Sequence, residues 1–212
     1  GLLNLLDWYV QDVGFTQNDR ALLASSYGFD LTHKNIFAPL MMGACLCLAP
    51  GLFDSKRILR QIEDDHITWL NLTPSAFHTL IDSGPEILQR LRFVVLGGEP
   101  IQITKLQQIP APRPQFVNSY GPSECSDVVA WHLLETELTR YEQSVPIGRP
   151  VRNARMYILD EHIEPVPIGA VGEIFIGGPC VGMGYVNQPK ITAEHFLPDP
   201  FTREPGARMY KS

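Results

Sequence analysis

The chain has 212 residues, 44% of them hydrophobic and 19% charged, with a net charge of −6 and a pI of about 5.5. That length allows one sizeable domain or two small ones with a buried core, and the acidic balance gives no general pull on nucleic acid. The longest apolar stretch, residues 36–50, is interrupted by Pro39 and Gly43 and falls short of the roughly 18 residues of a membrane span, so neither a nucleic acid nor a membrane is an expected partner.

Residues 1–12 place Leu2, Leu3, Leu5, Leu6, Tyr9 and Val10 close to helical period, and Asp7 and Asp12 without a basic n-region argue against a signal peptide. No N-cap precedes this helix and the final RMYKS carries no terminator, so the chain reads as a piece excised from a larger protein. A turn at 18–20 leads to a short strand at 21–26, a helix at 33–43 and a buried strand at 44–50. Residues 54–65 read as a helix with Asp54 as N-cap and Ile58, Leu59 and Ile62 on one face. A strand at 67–72 runs into a helix over 75–82, with Pro74 at its tolerant first position. A strand at 91–98 ends on a glycine turn, a short helix covers 101–108, and a strand covers 115–120. This alternation predicts a parallel α/β sheet over residues 1–127.

From residue 128 the pattern changes. VVAWHLL, RMYILD and GEIFIGG are apolar segments separated by Pro- and Gly-rich turns, which predicts an antiparallel or barrel-like β-rich section over 128–212. Cys45, Cys47, Cys125 and Cys180 have neither zinc-site nor disulfide spacing. They read as reduced thiols used in packing, which suits a cytoplasmic protein. The six histidines are scattered; His132, eight residues after Glu124, is the one with a prospect of lying near a site.

Three segments carry chemistry. NSYGPSE, residues 118–124, follows an apolar strand and so sits at a carboxyl end of the sheet, where open α/β sheets bind ligands. It offers a Gly-Pro turn, a ring able to stack on a purine, hydroxyls, and a carboxylate suited to Mg²⁺; a polar surface turn is the alternative. In SYGFDLTHKNIF, residues 26–37, Asp30 lies between Phe29 and Leu31, so its carboxylate either enters a pocket and needs a cation or caps the following helix. GAVGEIFIGGPCVGMGYVNQP, residues 169–189, reads as a strand followed by close glycine turns.

In this order the segments resemble N-x-Y-G-P-T-E, F-D-x-S and G-E-L-x-I-x-G-x-G-x-x-x-G-Y of the adenylate-forming superfamily, in particular the adenylation domains of non-ribosomal peptide synthetases. Ser123 replaces the usual Thr and Met183 the usual Arg; LGGE (96–99) and PIGRP (146–150) match more weakly. The resemblance implies a flavodoxin-like parallel sheet with flanking helices, in the large N-terminal part of such an enzyme. It implies ATP and Mg²⁺, with Glu124 on the metal, Ser123 on the α-phosphate, and Tyr120 beside the adenine among Asn118, Gly121 and Ser123. Asp30 would bind a substrate ammonium, and Leu31, Lys34, Asn71, Val95, Gly97, Ser119, Asp127 and Val128 would line the amino-acid pocket. That lining favours a polar side chain, unless Lys34 and Asp127 pair and leave a neutral pocket. The acyl group would pass to phosphopantetheine on a peptidyl carrier domain. A phosphate loop before Gly1, a ribose-binding Asp after Ser212, and a C-terminal subdomain with a catalytic Lys would complete the domain, so residues 1–212 alone are expected to give no useful adenylate formation. An acyl- or aryl-CoA ligase, which has no need of Asp30, and a non-catalytic recognition module are the competing readings.

Overall fold

The computed structural model describes residues 1–142 and 144–212. A seven-stranded sheet is built from β1 (Arg20–Leu23), β2 (Cys45–Leu48), β3 (Trp69–Leu72), β4 (Phe93–Gly97), β5 (Gln115–Tyr120), β6 (Ala130–Leu133) and β7 (Arg149–Pro150). The order is β2-β1-β3-β4-β5-β6-β7, with the first five strands parallel and the last two antiparallel. The parallel part thus has the 2-1-3-4-5 order of flavodoxin-like sheets.

Helices α2 (Thr32–Met42), α3 (Ser55–Asp64), α4 (Pro74–Ser83) and α5 (Ile103–Leu106) connect the parallel strands. The side chain of Asp54 accepts from the Arg57 N–H at 2.9 Å to cap α3, and Pro74 occupies the first turn of α4, both as the sequence predicts. The helix predicted over 101–108 is a single α-turn. Gln108 and Ile109 then bond three residues back, a tightening that ends the helix ahead of Pro110. The helix predicted over 1–12 is α1 (Leu2–Asp7) followed by a π-turn over Trp8–Asp12, with the Val13 N–H on the Trp8 carbonyl at 3.1 Å. The wider turn buries the adjacent Trp8 and Tyr9 together, and Tyr9 meets Phe15 and Trp69 at ring separations of 5.9 and 5.2 Å.

Strand alternation divides the core into two layers. Leu70, Leu72, Val94 and Leu96 pack with α3, α4 and α5, whereas Trp69, Phe93, Val95 and Val117 pack with α1 and α2. The second layer ends in a polar knot at the amino ends of the strands. There Asp19 holds Arg92, whose guanidinium lies 5.0 Å from the Trp69 ring and 5.1 Å from the Phe93 ring.

The rest of the chain forms an open four-stranded antiparallel sheet, ordered β10-β11-β9-β8, from β8 (Arg155–Leu159), β9 (Glu173–Gly177), β10 (Phe196–Pro198) and β11 (Arg208–Lys211). A short α6 (Pro189–His195) precedes β10. Because β6 and β7 extend the first sheet, the passage between sheets falls after Pro150 rather than at residue 127. The nine residues joining β5 to β6 contain no crossover helix, and so short a link turns the chain back antiparallel. No helix among the described residues is long and apolar enough to cross a membrane.

Candidate active site

The helix after β1 lies on one face of the sheet and those after β2, β3 and β4 on the other. The chain therefore parts at the carboxyl ends of β1 and β3, the crevice where doubly wound sheets bind ligands. A cavity of about 340 Å³ opens there, at the small end of the ~300–1,000 Å³ usual for ligand pockets. Its walls come from the loop before α2 (Phe29, Asp30, Leu31), the end of β3 (Asn71, Leu72, Thr73), the turn after β4 (Gly97, Gly98, Glu99) and the loop after β5 (Ser119, Gly121, Pro122, Ser123, Asp127), with Lys34 of α2.

Asp30 faces this cavity half-buried. One carboxylate oxygen accepts from the Leu31 N–H at 2.8 Å. The residue at the N-cap of α2 is Leu31, without a side-chain cap, so Asp30 does not close the first turn of that helix. Among the described residues, no cation forms an ion pair with Asp30.

Lys34 is 1% exposed. Its ammonium bonds Asp127 Oδ2 at 2.5 Å and the Leu31 carbonyl at 3.4 Å. Burial works to push the Asp127 carboxyl up; the Lys34 ammonium opposes it, the nearby Asp30 charge adds to it, and the net direction is upward. Asp127 reaches this position through two consecutive left-handed residues, with φ of 62° at Ser126 and 75° at Asp127. Such a conformation costs about 1–3 kcal/mol per residue and persists where surrounding bonds over-determine it. Here the Ser126 hydroxyl donates to the Cys180 carbonyl at 3.0 Å and Asp127 holds Lys34. The loop also needs Gly121, because a Cβ there would lie 2.0 Å from the Asp127 carbonyl oxygen.

Asn71 donates to the Leu31 carbonyl at 3.2 Å and to Asn35 Oδ1 at 3.3 Å, tying β3 to the start of α2. Ser119 donates to the Leu96 carbonyl at 3.1 Å. It faces Gly97 across the β4–β5 register, where a Cβ on residue 97 would come within 2.5 Å of Ser119 Oγ. Seven of the residues expected in the amino-acid pocket (Asp30, Leu31, Lys34, Asn71, Gly97, Ser119 and Asp127) thus line one cavity. Val95 and Val128 are instead buried in the apolar cluster around Trp69.

The NSYGPSE segment divides in the same way. Gly121 and Ser123 line the cavity. Asn118 turns to the other sheet face and holds the Val145 and Pro146 carbonyls at 3.4 and 2.9 Å. Tyr120 packs against the cluster of Cys125 and Cys180, with its hydroxyl 2.7 Å from that of Ser212. Glu124 Oε1 accepts from the Tyr185 hydroxyl at 2.5 Å, across to the loop between β9 and α6. This bond raises the Tyr185 phenol above its ordinary value.

A lone carboxylate suits Mg²⁺, which usually takes one or two protein carboxylates and fills its shell with water and substrate phosphates. The described residues contain no cluster of three or more His, Cys, Asp or Glu able to cage a metal by themselves. His132 sits on β6 against the Tyr141 hydroxyl, 2.8 Å away, outside the cavity wall. Cys125 and Cys180 are buried as predicted, whereas Cys45 and Cys47, on the edge strand, are only half-buried.

Thr73, Glu99 and Tyr185 are contributors that sequence reasoning passed over. Glu99 accepts from the Ser75 N–H at 2.9 Å and the Ser75 hydroxyl at 3.0 Å, clamping the β4 turn to the start of α4. The LGGE segment and the rule that ligands collect at carboxyl strand ends pointed to Thr73 and Glu99; the closing Gly-Tyr of the 169–189 motif marked Tyr185, but nothing local tied it to Glu124, 61 residues away.

Comparison with known proteins agrees with this geometry. The family described as AMP-binding enzyme matches residues 1–186. Malpibaldin synthetase of Mortierella alpina is 39% identical over 201 residues, covering 93% of this chain and 4% of that protein, so the chain spans a small part of such relatives. The nonribosomal peptide synthetase FmoA3 (S1046A), in its AMPPNP-bound form, matches with a TM-score of 0.91 at 28% identity, covering 99% of this chain and 23% of that one. Its form with α-methyl-L-serine-AMP gives 0.90 at 28% identity, with coverages of 100% and 24%. NpsA-ThdA, an artificially fused adenylation-PCP di-domain from Klebsiella oxytoca, gives 0.85 at 28% identity, with coverages of 95% and 38%. The cavity at the switch point, the motifs around it and these matches together show that the chain belongs to the AMP-binding enzyme family, with its likeness to the adenylation domains of nonribosomal peptide synthetases.

Proposed function

We propose that the chain is the central part of an adenylation domain that selects an amino acid and activates it with ATP. The observation that carries this reading is the charge arrangement in the cavity: Lys34 and Asp127 neutralise each other, and among the described residues Asp30 faces the cavity without a cation. A carboxylate so placed gains from a ligand ammonium, and an α-amino acid supplies one. FmoA3, which has been solved with an aminoacyl-AMP, supports the same chemistry.

In the proposed reaction the amino-acid carboxylate attacks the α-phosphate of ATP, forming the aminoacyl-adenylate and releasing pyrophosphate. A phosphopantetheine thiol on a carrier domain then attacks the acyl carbon, forming the thioester and releasing AMP; the fused carrier domain of NpsA-ThdA fits that partner. Such chemistry rests on positioning and charge neutralisation more than on a protein nucleophile. Asp30 fixes the ammonium, the Ser123 hydroxyl, which lines the same cavity, would donate to a phosphate oxygen, and Glu124 is the residue that would hold Mg²⁺. When bound, that ion would neutralise phosphate charge.

The test is ATP–pyrophosphate exchange by the full-length protein with amino acids and with carboxylic acids lacking an amine. Exchange confined to amino acids, lowered about 30-fold or more in kcat/KM by Asp30→Ala, is the expected result, since removing a desolvated charge partner costs at least about 2 kcal/mol. Equal activity with amine-free acids, unaffected by Asp30→Ala, would assign the chain to the acyl- or aryl-CoA ligases instead.

A further inference from the structure

Lys34 and Asp127 form the only ion pair on the cavity wall among the described residues. An ammonium donates three hydrogen bonds and a carboxylate accepts on both oxygens. The Lys34 bonds to Asp127 Oδ2 and the Leu31 carbonyl use two of its three donors, and the second is long at 3.4 Å. Asp127 Oδ1 has no hydrogen-bond partner among the described residues. Although the two charges cancel, the pair therefore keeps one donor and one acceptor unused side by side, with the carboxylate, at 11% side-chain exposure, the more accessible.

Resting on the adenylation reading, we propose that this pair recognises the amino-acid side chain, and that the side chain is uncharged and carries both a donor and an acceptor, a carboxamide being the full complement. Its carbonyl oxygen accepts from Lys34 and its NH₂ donates to Asp127 Oδ1. A carboxylate side chain would meet Asp127 as a like charge beside Asp30. An ammonium or guanidinium would compete with Lys34 for Asp127 and leave a buried cation short of a partner. An aliphatic side chain would seal both groups away from water without partners. Pockets built to hydrogen-bond a substrate reject analogues that lack the matching groups far more strongly than apolar pockets reject a missing methylene. Asn71 and Ser119 do not compete for this role, because their donors are used on the Leu31, Asn35 and Leu96 oxygens.

The experiment is pyrophosphate exchange by the full-length protein across the proteinogenic amino acids and ornithine, with the wild type, Asp127→Asn, and the double variant Lys34→Leu/Asp127→Leu. In the wild type, asparagine or glutamine should exceed aspartate, glutamate, lysine, ornithine and leucine in kcat/KM by about 10-fold or more. Asp127→Asn frees the Lys34 charge and should raise the ratio of acidic to amide substrate about 10-fold. The double variant removes both charges without stranding either, so it remains foldable, and it should lose the amide preference. A wild type that favours a charged or aliphatic amino acid overturns the inference even if neither variant folds, and so does an acid-to-amide ratio unmoved by Asp127→Asn. Exchange with amine-free acids alone removes the adenylation reading itself, a result distinct from exchange with the wrong class of amino acid.

Discussion

The carboxylate of Asp19 accepts from Arg92 Nε and the Thr68 hydroxyl on one oxygen, each at 2.9 Å. Its other oxygen accepts from Arg92 Nη2 at 2.6 Å, the Thr16 N–H at 2.8 Å and the Thr16 hydroxyl at 2.9 Å. Burial works to raise this acid, but Arg92 and the Thr16 and Thr68 donors outweigh it and hold the carboxyl below its ordinary value. The sign for stability follows. With the folded value depressed, the contribution is present above the unfolded value of about 3.9 and is lost as pH falls through the lower folded value. Urea midpoints should therefore fall with pH in that window, and Arg92→Ala should flatten the fall. Asp19→Ala leaves the Thr16 and Thr68 donors without their acceptor beside a guanidinium that is 43% exposed, and should cost about 1–3 kcal/mol by urea denaturation; a cost below about 0.5 kcal/mol would show the knot to be incidental. In the sequence Asp19 was legible only as a turn residue, because its main partner lies 73 positions away. Asp30 was legible because its neighbours Phe29 and Leu31 and the F-D-x-S pattern are local.

Helices with local punctuation were read well. Asp54 and Pro74 act within one turn of their own position, so α3 and α4 begin within a residue of where their caps predict. The π-turn at Trp8–Asp12 was not legible, because it answers a tertiary demand, the burial of two adjacent aromatics against Trp69. The loop between β5 and β6 is the element on which the site depends most. A Cβ on residue 121 would lie 2.0 Å from a backbone oxygen, and backbone cannot step aside as a flexible side chain can. Gly121→Ala should lower stability by about 1–3 kcal/mol or displace the loop, read by thermal melting together with loss of the pyrophosphate exchange proposed for the full-length protein. A variant with native melting and native exchange would contradict that tight approach. Glu99→Ala should act more mildly, about 1 kcal/mol, by freeing the first turn of α4 from its acceptor.

Across the whole molecule, the parallel α/β character was evident from alternating strands and helices, whereas the flavodoxin-like strand order followed only from the family resemblance, since no local pattern says which neighbour a strand takes. The order leaves β2 at the rim, with Leu48, Leu52 and Tyr27 at 62%, 89% and 86% exposure beside a cavity of about 500 Å³. An open apolar edge invites pairing with another chain. Residues 1–212 produced alone should self-associate as concentration rises, seen by light scattering, and Leu48→Lys with Leu52→Lys should suppress it; a mass that stays monomeric in the parent would refute the prediction. The Lys34–Asp127 pair joins positions 93 residues apart, and removing either partner strands a buried charge at about 3–5 kcal/mol, comparable with much of a domain's margin. In descent, these two sites are therefore one heritable unit: a lineage passes from one charge state to another by double replacement, and a tree of such chains should show them changing in step.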